Sequence, residues 1–131
     1  MKKTLVACCS AAILVLIITI LATQTASTGI IPMAESDVVI PMSVSRPGCE
    51  TTNSCYTPPE ITVNAGKTIT WLNKDRAFHT VTSGYYDKFD GMFDSGHIDP
   101  GQTFSFKFDK LGDFHYFCNL HPWMQGTVIV K

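Results

Sequence analysis

The sequence has no excess of charge of either sign. Its ten Lys and Arg residues stand against eleven Asp and Glu residues, and they form no basic stripe. A protein that binds nucleic acid through phosphate contacts needs a basic surface of that kind. We therefore expect no nucleic-acid partner. The chain has 131 residues, which is the length of a single folded domain.

Helical patterns are missing from the sequence beyond residue 36. No stretch there keeps an apolar period of 3.6 residues with capping residues at both ends. Short alternating runs occur instead, most clearly at 103–109, where three Phe residues alternate with polar ones. Several such runs separated by turn residues predict an all-β fold, a two-sheet antiparallel Greek-key sandwich.

Three further expectations concern individual segments of this sandwich. The runs 60–63 and 68–72 alternate on either side of the turn residues 64–67, which predicts a hairpin. Pro41 interrupts an apolar run and predicts an edge strand or a β-bulge there. Residues 84–101 are rich in Gly and Asp, and we expect them to form a long, loosely structured crossing.

The one long apolar run lies at the N-terminus. Residues 1–26 combine a positively charged start, an aliphatic middle and a small-residue end, an order typical of a secretory signal peptide. The apolar part approaches membrane-spanning length, so an uncleaved membrane anchor is the alternative. Residues 27–36 are interpreted as a linker and 37–131 as the folded domain. The protein is expected to be extracytoplasmic, touching the membrane only if the segment is retained.

Cysteines are few in the predicted folded domain. Cys49, Cys55 and Cys118 are an odd number, which in an oxidising compartment indicates one disulfide and one thiol with another role. Cys49 and Cys55 lie close together in a stretch of Pro, Gly, Asn and Ser that can turn back on itself. The sequence therefore predicts that these two form a disulfide and that Cys118 is free.

Cys118 is followed by two more residues with soft or borderline metal-binding groups. His121 and Met124 come at intervals of two intervening residues, in a turn between two predicted strands. Such a loop can wrap three side chains around one ion. Thiolate, thioether and imidazole favour copper, since structural zinc sites use four Cys or His ligands and calcium sites use oxygen.

A type 1 (blue) copper site needs a second imidazole, and three other histidines are candidates. His115 lies three residues before Cys118 in the same strand and so faces the opposite side, and His97 lies in the Gly/Asp-rich crossing. His79 lies where one predicted strand ends and the next begins, at an end of the sandwich. We predict one copper ion per chain, with the ligands His79, Cys118, His121 and Met124.

The sequence around these ligands resembles that of a known protein family. The sequence is similar to the cupredoxins, and more narrowly to the plastocyanin/amicyanin group. The similarity lies in residues 69–73, in Phe78-His79, and in residues 112–114, 117–124 and 126–128. The short gap between His121 and Met124 resembles that of amicyanins, and the chain also looks like small secreted plastocyanin-like proteins of archaea. The resemblance implies a cupredoxin fold and an electron carrier rather than an enzyme.

The resemblance also implies how electrons enter and leave. In the family the counterpart of His121 lies at the surface within an apolar patch, and Phe78, Pro122 and Trp123 are expected to form that patch here. Transient contacts with a redox donor and a redox acceptor protein would follow, and we expect a monomer. Phe78 and Thr80 stand where the family often has Pro and Asn, and that Asn ties the two ligand loops together. The resemblance leaves it open whether Thr80 takes over this role.

Two other functions are weighed against electron transfer. A small copper enzyme acting on a nitrogen oxide would need an open coordination position, which a site with four ligands lacks unless Met124 is displaced. A copper carrier or buffer would favour Met- or His-rich open sites, whereas Met33, Met42 and Met92 are scattered. Both remain alternatives to the electron carrier.

Overall fold

A computed structural model describes residues 35–131 of the chain. Within this range the structure contains strands and one short 3₁₀ helix at Cys49–Thr52. The strands are β1 (Val38–Ile40), β2 (Glu60–Val63), β3 (Lys67–Asn73), β4 (Thr82–Tyr85), β5 (Lys88–Asp94), β6 (Thr103–Phe108), β7 (Gly112–Phe117) and β8 (Gln125–Val130).

The strands form two sheets, which confirms the predicted all-β sandwich. One sheet has the order β1-β3-β6 and the other the order β2-β8-β7-β4-β5. The pairs β1·β3 and β2·β8 are parallel, and the remaining pairs are antiparallel. The sheets are therefore mixed rather than purely antiparallel. The parallel pair β1·β3 arises because the chain crosses to the other sheet and back between them, as parallel neighbours require.

The predicted hairpin of β2 and β3 is wrong. The two strands lie in different sheets, β2 beside β8 and β3 beside β6. The turn between them is present, but two of its N–H groups donate hydrogen bonds to other segments of the chain. Ala65 N donates to Lys131 O at 3.1 Å, and Gly66 N donates to Phe108 O at 2.6 Å. The turn is thus a corner between the sheets. The alternation of apolar and polar residues shows that each strand has one buried face, but it does not determine which strand pairs with it.

The prediction of a loosely structured crossing at 84–101 is also wrong for more than half of these residues. β4 and β5 form an antiparallel pair there, joined by a turn at 86–87, and residues 95–101 belong to neither strand. β5 is an edge strand in which every residue except Phe93 is exposed. Because a strand exposed on both faces needs no apolar alternation, its sequence carries none of the usual signal.

The core between the sheets is built around Trp71 of β3. Its ring lies 5.3 Å from Tyr116 of the opposite sheet and 6.1 Å from Phe93, measured between ring centroids. On its own sheet it contacts Phe104 and Phe108 of the predicted phenylalanine stripe. Aromatic pairs of this kind contribute large buried areas. The packing holds β3 and β7 in place, and the loops that follow them carry the candidate ligands.

The predicted export segment, residues 1–26, lies outside the described residues, and so does most of the linker. The role of residues 1–26 as a signal peptide or membrane anchor stays a prediction. Within residues 35–131, no helix is long and apolar enough to cross a membrane.

Candidate metal centre

Three of the predicted ligands meet at one end of the sandwich. Cys118 directly follows β7, His121 lies in the loop before β8, and His79 lies between β3 and β4. Their ligand atoms all lie within 4.8 Å of one another. Both His79 and Cys118 are fully buried, whereas His121 is partly exposed. Residues from distant parts of the chain therefore form one compact donor cluster.

The loop from Cys118 to Met124 is closed by its own main chain. His121 N donates to Cys118 O at 3.1 Å, Met124 N donates to His121 O at 2.9 Å, and Cys118 N donates to Met124 O at 3.1 Å. These bonds form successive turns that hold the side chains of the loop in fixed directions. Met124, the last residue of the loop, is fully buried and belongs to the hydrophobic core.

Both histidines of the cluster present Nδ1 to the thiol. His79 Nδ1 lies 3.8 Å and His121 Nδ1 3.5 Å from Cys118 Sγ. His97 and His115 are not brought to the site. Both are exposed: His97 stacks on Phe78, and the Nδ1 of His115 lies 3.1 Å from the Thr127 hydroxyl.

Burial keeps the two cluster histidines in the form that binds metal. It lowers the pKa of His79, an effect that Asp75 partly opposes. It also lowers the pKa of His121, and the neighbouring His79 lowers it further. At neutral pH both imidazoles are therefore neutral, and a metal ion need not displace a proton from them.

Asp75 contacts the donor cluster, although the sequence analysis did not identify it. Its Oδ2 lies 3.0 Å from His79 Nε2, and its side chain is 4% exposed. The same carboxylate accepts hydrogen bonds from the main-chain N–H groups of Ser43, Ser45 and Arg76. With Asp75 as its acceptor, Nε2 carries the proton and Nδ1 stays free to bind a metal. Carboxylates commonly orient metal-binding histidines in this way.

The carboxylate of Asp75 makes the stability of the copper-free protein pH-dependent. Burial alone would raise its pKa, but the hydrogen bonds from Ser43, His79, Arg76 and Ser45 outweigh burial and lower the pKa from 3.8 to about 2. A lowered pKa stabilises the fold above the unfolded-state value, and this contribution disappears as pH falls from 3.8 towards 2. In urea unfolding we expect the free energy of unfolding to decline over this interval, and to decline less steeply in Asp75→Asn. Equal slopes for both proteins would contradict this assignment.

Thr80 connects the two ligand loops, the role that the sequence resemblance left open. Its Oγ1 accepts a hydrogen bond from Asn119 N at 2.8 Å. Its main-chain N–H donates to Cys118 Sγ at 3.3 Å. A threonine therefore joins the His79 segment to the Cys118 segment where the family often uses asparagine.

The residues expected to form an apolar patch lie on both ligand loops. Phe78 is 53% exposed, and Pro122 and Trp123 are partly exposed beside His121. The rings of His121 and Trp123 lie 5.3 Å apart. Leu120, which the sequence analysis did not single out, adds an exposed apolar side chain in the same loop.

The cysteines are arranged as the sequence predicts. Cys49 and Cys55 are joined by a disulfide. Among residues 35–131, Cys118 is the free cysteine, and it is buried. Its thiol is thus available as a ligand and is shielded from other thiols.

The donor set fits copper. A thiol and two neutral imidazoles converge, and the thioether of Met124 belongs to the same loop. The cluster includes no carboxylate oxygen, because Asp75 is bonded to the far nitrogen of His79. Soft and borderline donors of this kind characterise type 1 copper sites, whereas hard cations prefer oxygen. His79, Cys118, His121 and Met124 form a type 1 copper-like site.

Comparisons with known proteins agree with this site. The amicyanin of Paracoccus versutus is 33% identical over 76 residues, which is 58% of this chain and 58% of the amicyanin. The plastocyanin of Scenedesmus fuscus is 32% identical over 84 residues, which is 58% of this chain and 86% of that protein. The chain thus matches a little over half the length of the amicyanin.

A solved structure and a family model complete the comparison. The structure of a novel purple cupredoxin from Nitrosopumilus maritimus covers 74% of this chain and 100% of that chain, with 27% identity and a TM-score of 0.66. Residues 46–131 match the model of copper binding proteins of the plastocyanin/azurin family, including all four candidate ligands. The chain therefore belongs to the plastocyanin/azurin family of copper-binding proteins.

Proposed function

We propose that this protein is an electron carrier that passes single electrons between two extracytoplasmic redox proteins through one type 1 copper ion. One observation carries the proposal: the ligand atoms of His79, Cys118 and His121 lie within 4.8 Å of one another at one end of the sandwich, and of these three residues only His121 is partly exposed. A buried donor set with a single exposed edge suits electron transfer better than substrate binding.

The chain's own contacts limit how far the donor atoms move. Bound copper supplies the one-electron couple between Cu(II) and Cu(I). Asp75 holds the His79 ring, and the Thr80 N–H group holds the Cys118 sulfur. Since Asp75 and Thr80 are themselves held by the protein fold rather than by the copper, they keep the donors in similar positions in both oxidation states. A small structural change lowers the barrier to electron transfer.

Electrons would enter and leave along the exposed edge of His121. Phe78, Leu120, Pro122 and Trp123 give this end apolar surface on both sides of the ligand loops. Small apolar contacts favour brief encounters of the kind seen between redox proteins. Partners would therefore be a donor and an acceptor protein, each bound transiently by a monomer.

An aspartate in the apolar patch is expected to slow electron exchange without changing the copper site. In Phe78→Asp we expect the rate of electron self-exchange between oxidised and reduced copies to fall about tenfold, within the range by which interface mutants change association rates. The reason is that two patches must meet without water between them. Nuclear magnetic resonance line widths of mixed oxidation states measure this rate.

Leu111→Asp is the matched control for this prediction. Leu111 is 71% exposed and precedes β7, whereas the copper ligand Cys118 follows that strand. The control adds the same charge to an equally apolar side chain, so a general effect of charge would slow both variants alike. Equal rates for the two variants would show that the patch around His121 is not the exchange surface.

The alternative of a copper enzyme finds less support. A nitrite reductase from Thermus scotoductus shares the fold at 22% identity and a TM-score of 0.51, a likeness limited to the fold. Within residues 35–131, the other cluster of metal-binding groups is Cys49, Glu50 and Cys55, and its two cysteines form the disulfide. A second copper site of histidines, as a partner for the first, is thus missing from the part of the chain that the structure describes. Among residues 35–131, Met42 and Met92 lie in different parts of the chain and do not form the Met-rich site that a copper carrier would favour.

The exported location rests on residues 1–26 and on the disulfide. Disulfides persist in oxidising compartments and are rare in reducing ones. The bond between Cys49 and Cys55 is consistent with export. We accordingly propose a signal segment at 1–26, a linker at 27–36 and a copper-binding domain at 37–131.

A further inference from the structure

A buried chain of hydrogen bonds leads from Tyr56 to the thiol of the metal centre. The Tyr56 hydroxyl donates to Thr80 O at 2.8 Å, and the Thr80 N–H group donates to Cys118 Sγ at 3.3 Å. Tyr56 is fully buried, and Thr80 is 4% exposed. Water therefore does not compete for these groups. The main chain of Thr80 is held by Tyr56 on its carbonyl side and by Cys118 on its amide side.

Tyr56 is itself held firmly. Its preceding residue, Cys55, is buried and joined to Cys49. Its following residue, Thr57, exchanges two main-chain hydrogen bonds of 2.8 Å with Val39. The Tyr56 ring packs edge-on against Tyr116 at a centroid distance of 4.9 Å. The hydroxyl is thus a fixed point against which Thr80 is positioned.

The Tyr56 hydroxyl keeps its proton under all ordinary conditions. Burial raises its pKa well above 10, and the neighbouring Cys118 and Tyr116 raise it further. At neutral pH the hydroxyl is therefore protonated and donates its hydrogen bond to the Thr80 carbonyl.

We propose that Tyr56 is a positioning residue for the copper thiolate, holding Thr80 so that its N–H group points at the Cys118 sulfur. This inference rests on the proposed function, since it requires Cys118 to bind copper. Hydrogen bonds to the cysteine sulfur tune the potential of type 1 sites. The sulfur carries more negative charge in the Cu(I) state, because less of that charge passes to the metal. The Thr80 N–H bond therefore favours the reduced state.

Removal of the Tyr56 hydroxyl tests this inference. In Tyr56→Phe the ring and its packing remain, but Thr80 loses its fixed point and the bond to sulfur weakens. We expect the thiolate-to-copper absorption band to persist and the preference for Cu(I) over Cu(II) to fall three- to tenfold. For a one-electron couple this equals a reduction potential lower by about 30 to 60 mV. The copper–sulfur stretching frequency in resonance Raman spectra is expected to shift as well.

Tyr116→Phe is the matched control. Tyr116 is equally buried, but among residues 35–131 no hydrogen bond joins its hydroxyl to Thr80 or to the copper ligands. We expect its potential and Raman frequency to equal those of the wild type. A Tyr56→Phe protein that is less stable but keeps the wild-type potential would show that the hydroxyl is only structural. Equal shifts in both variants would likewise overturn the inference.

The same measurements separate this inference from the proposed function. A wild-type protein without a thiolate-to-copper band would refute the copper site itself. If the wild-type protein shows the band and Tyr56→Phe keeps the wild-type reduction potential, only the role of Tyr56 would be refuted.

Discussion

Cys118→Ser is expected to remove the stabilisation that copper gives to the fold. A ligand that binds only the folded state stabilises it by about 4 kcal/mol at roughly 1,000 times its dissociation constant. The Cys118 thiol lies between the two imidazoles, 3.5 Å from one and 3.8 Å from the other. A serine hydroxyl is a poor copper ligand, and without the thiolate the remaining donors bind weakly. Urea unfolding with and without Cu(II) measures the difference.

His97→Ala serves as the control for this prediction. His97 is an exposed histidine outside the donor cluster, so its loss should leave the copper-dependent stabilisation unchanged. A Cys118→Ser protein that copper still stabilises as much as the wild type would remove Cys118 from the ligand set. The comparison uses only the difference that copper makes, because a serine at this buried position also changes the stability of the copper-free protein.

Asp75→Ala is expected to weaken both the fold and the copper site. The variant leaves His79 Nε2 and the N–H groups of Ser43, Ser45 and Arg76 without their acceptor. Each unsatisfied buried donor costs about 1–3 kcal/mol, although water can reach part of this set. We expect the free energy of unfolding of the copper-free protein to fall by about 3 kcal/mol. Copper affinity should fall about 10- to 100-fold, which is the usual effect of removing the residue that accepts a hydrogen bond from a metal-binding histidine.

Asp109→Ala removes a carboxylate of a different kind. Asp109 is 63% exposed and pairs with Lys107 on the surface. Exposed pairs contribute about 0–1 kcal/mol, so this variant should resemble the wild type in stability and copper affinity. Denaturant unfolding and competition with a copper chelator measure the two quantities. If both aspartate variants behaved alike, Asp75 would not be the residue that orients His79.

The candidate site was predictable where its ligands are close in sequence. Cys118, His121 and Met124 lie in one loop, and their spacing alone indicates a metal site. His79 needed the further argument that it lies between strands at an end of the sandwich. Asp75 gave no such signal, because an acidic residue four positions before a histidine is common. Its role depends on the turn after β3, which brings its carboxylate to His79 Nε2.

The fold was predictable as a class but not in its pairing. Alternation revealed the buried faces of β2, β3 and β6, and these faces do line the core. It did not reveal that β2 lies beside β8, since partner choice is set by long-range packing. β5 was missed because its exposed faces bury only Phe93. Local patterns thus identify strands that bury a face, whereas edge strands and sheet order emerge only from the whole sandwich.

The visible absorption and paramagnetic resonance spectra of the wild-type protein loaded with Cu(II) test the central claim most directly. With Cys118 between His79 and His121, we predict an intense thiolate-to-copper band and a compressed copper hyperfine splitting, the signature of a type 1 site. A pale spectrum with ordinary hyperfine splitting would contradict the account, because it would mean that the Cys118 thiolate does not bind the copper.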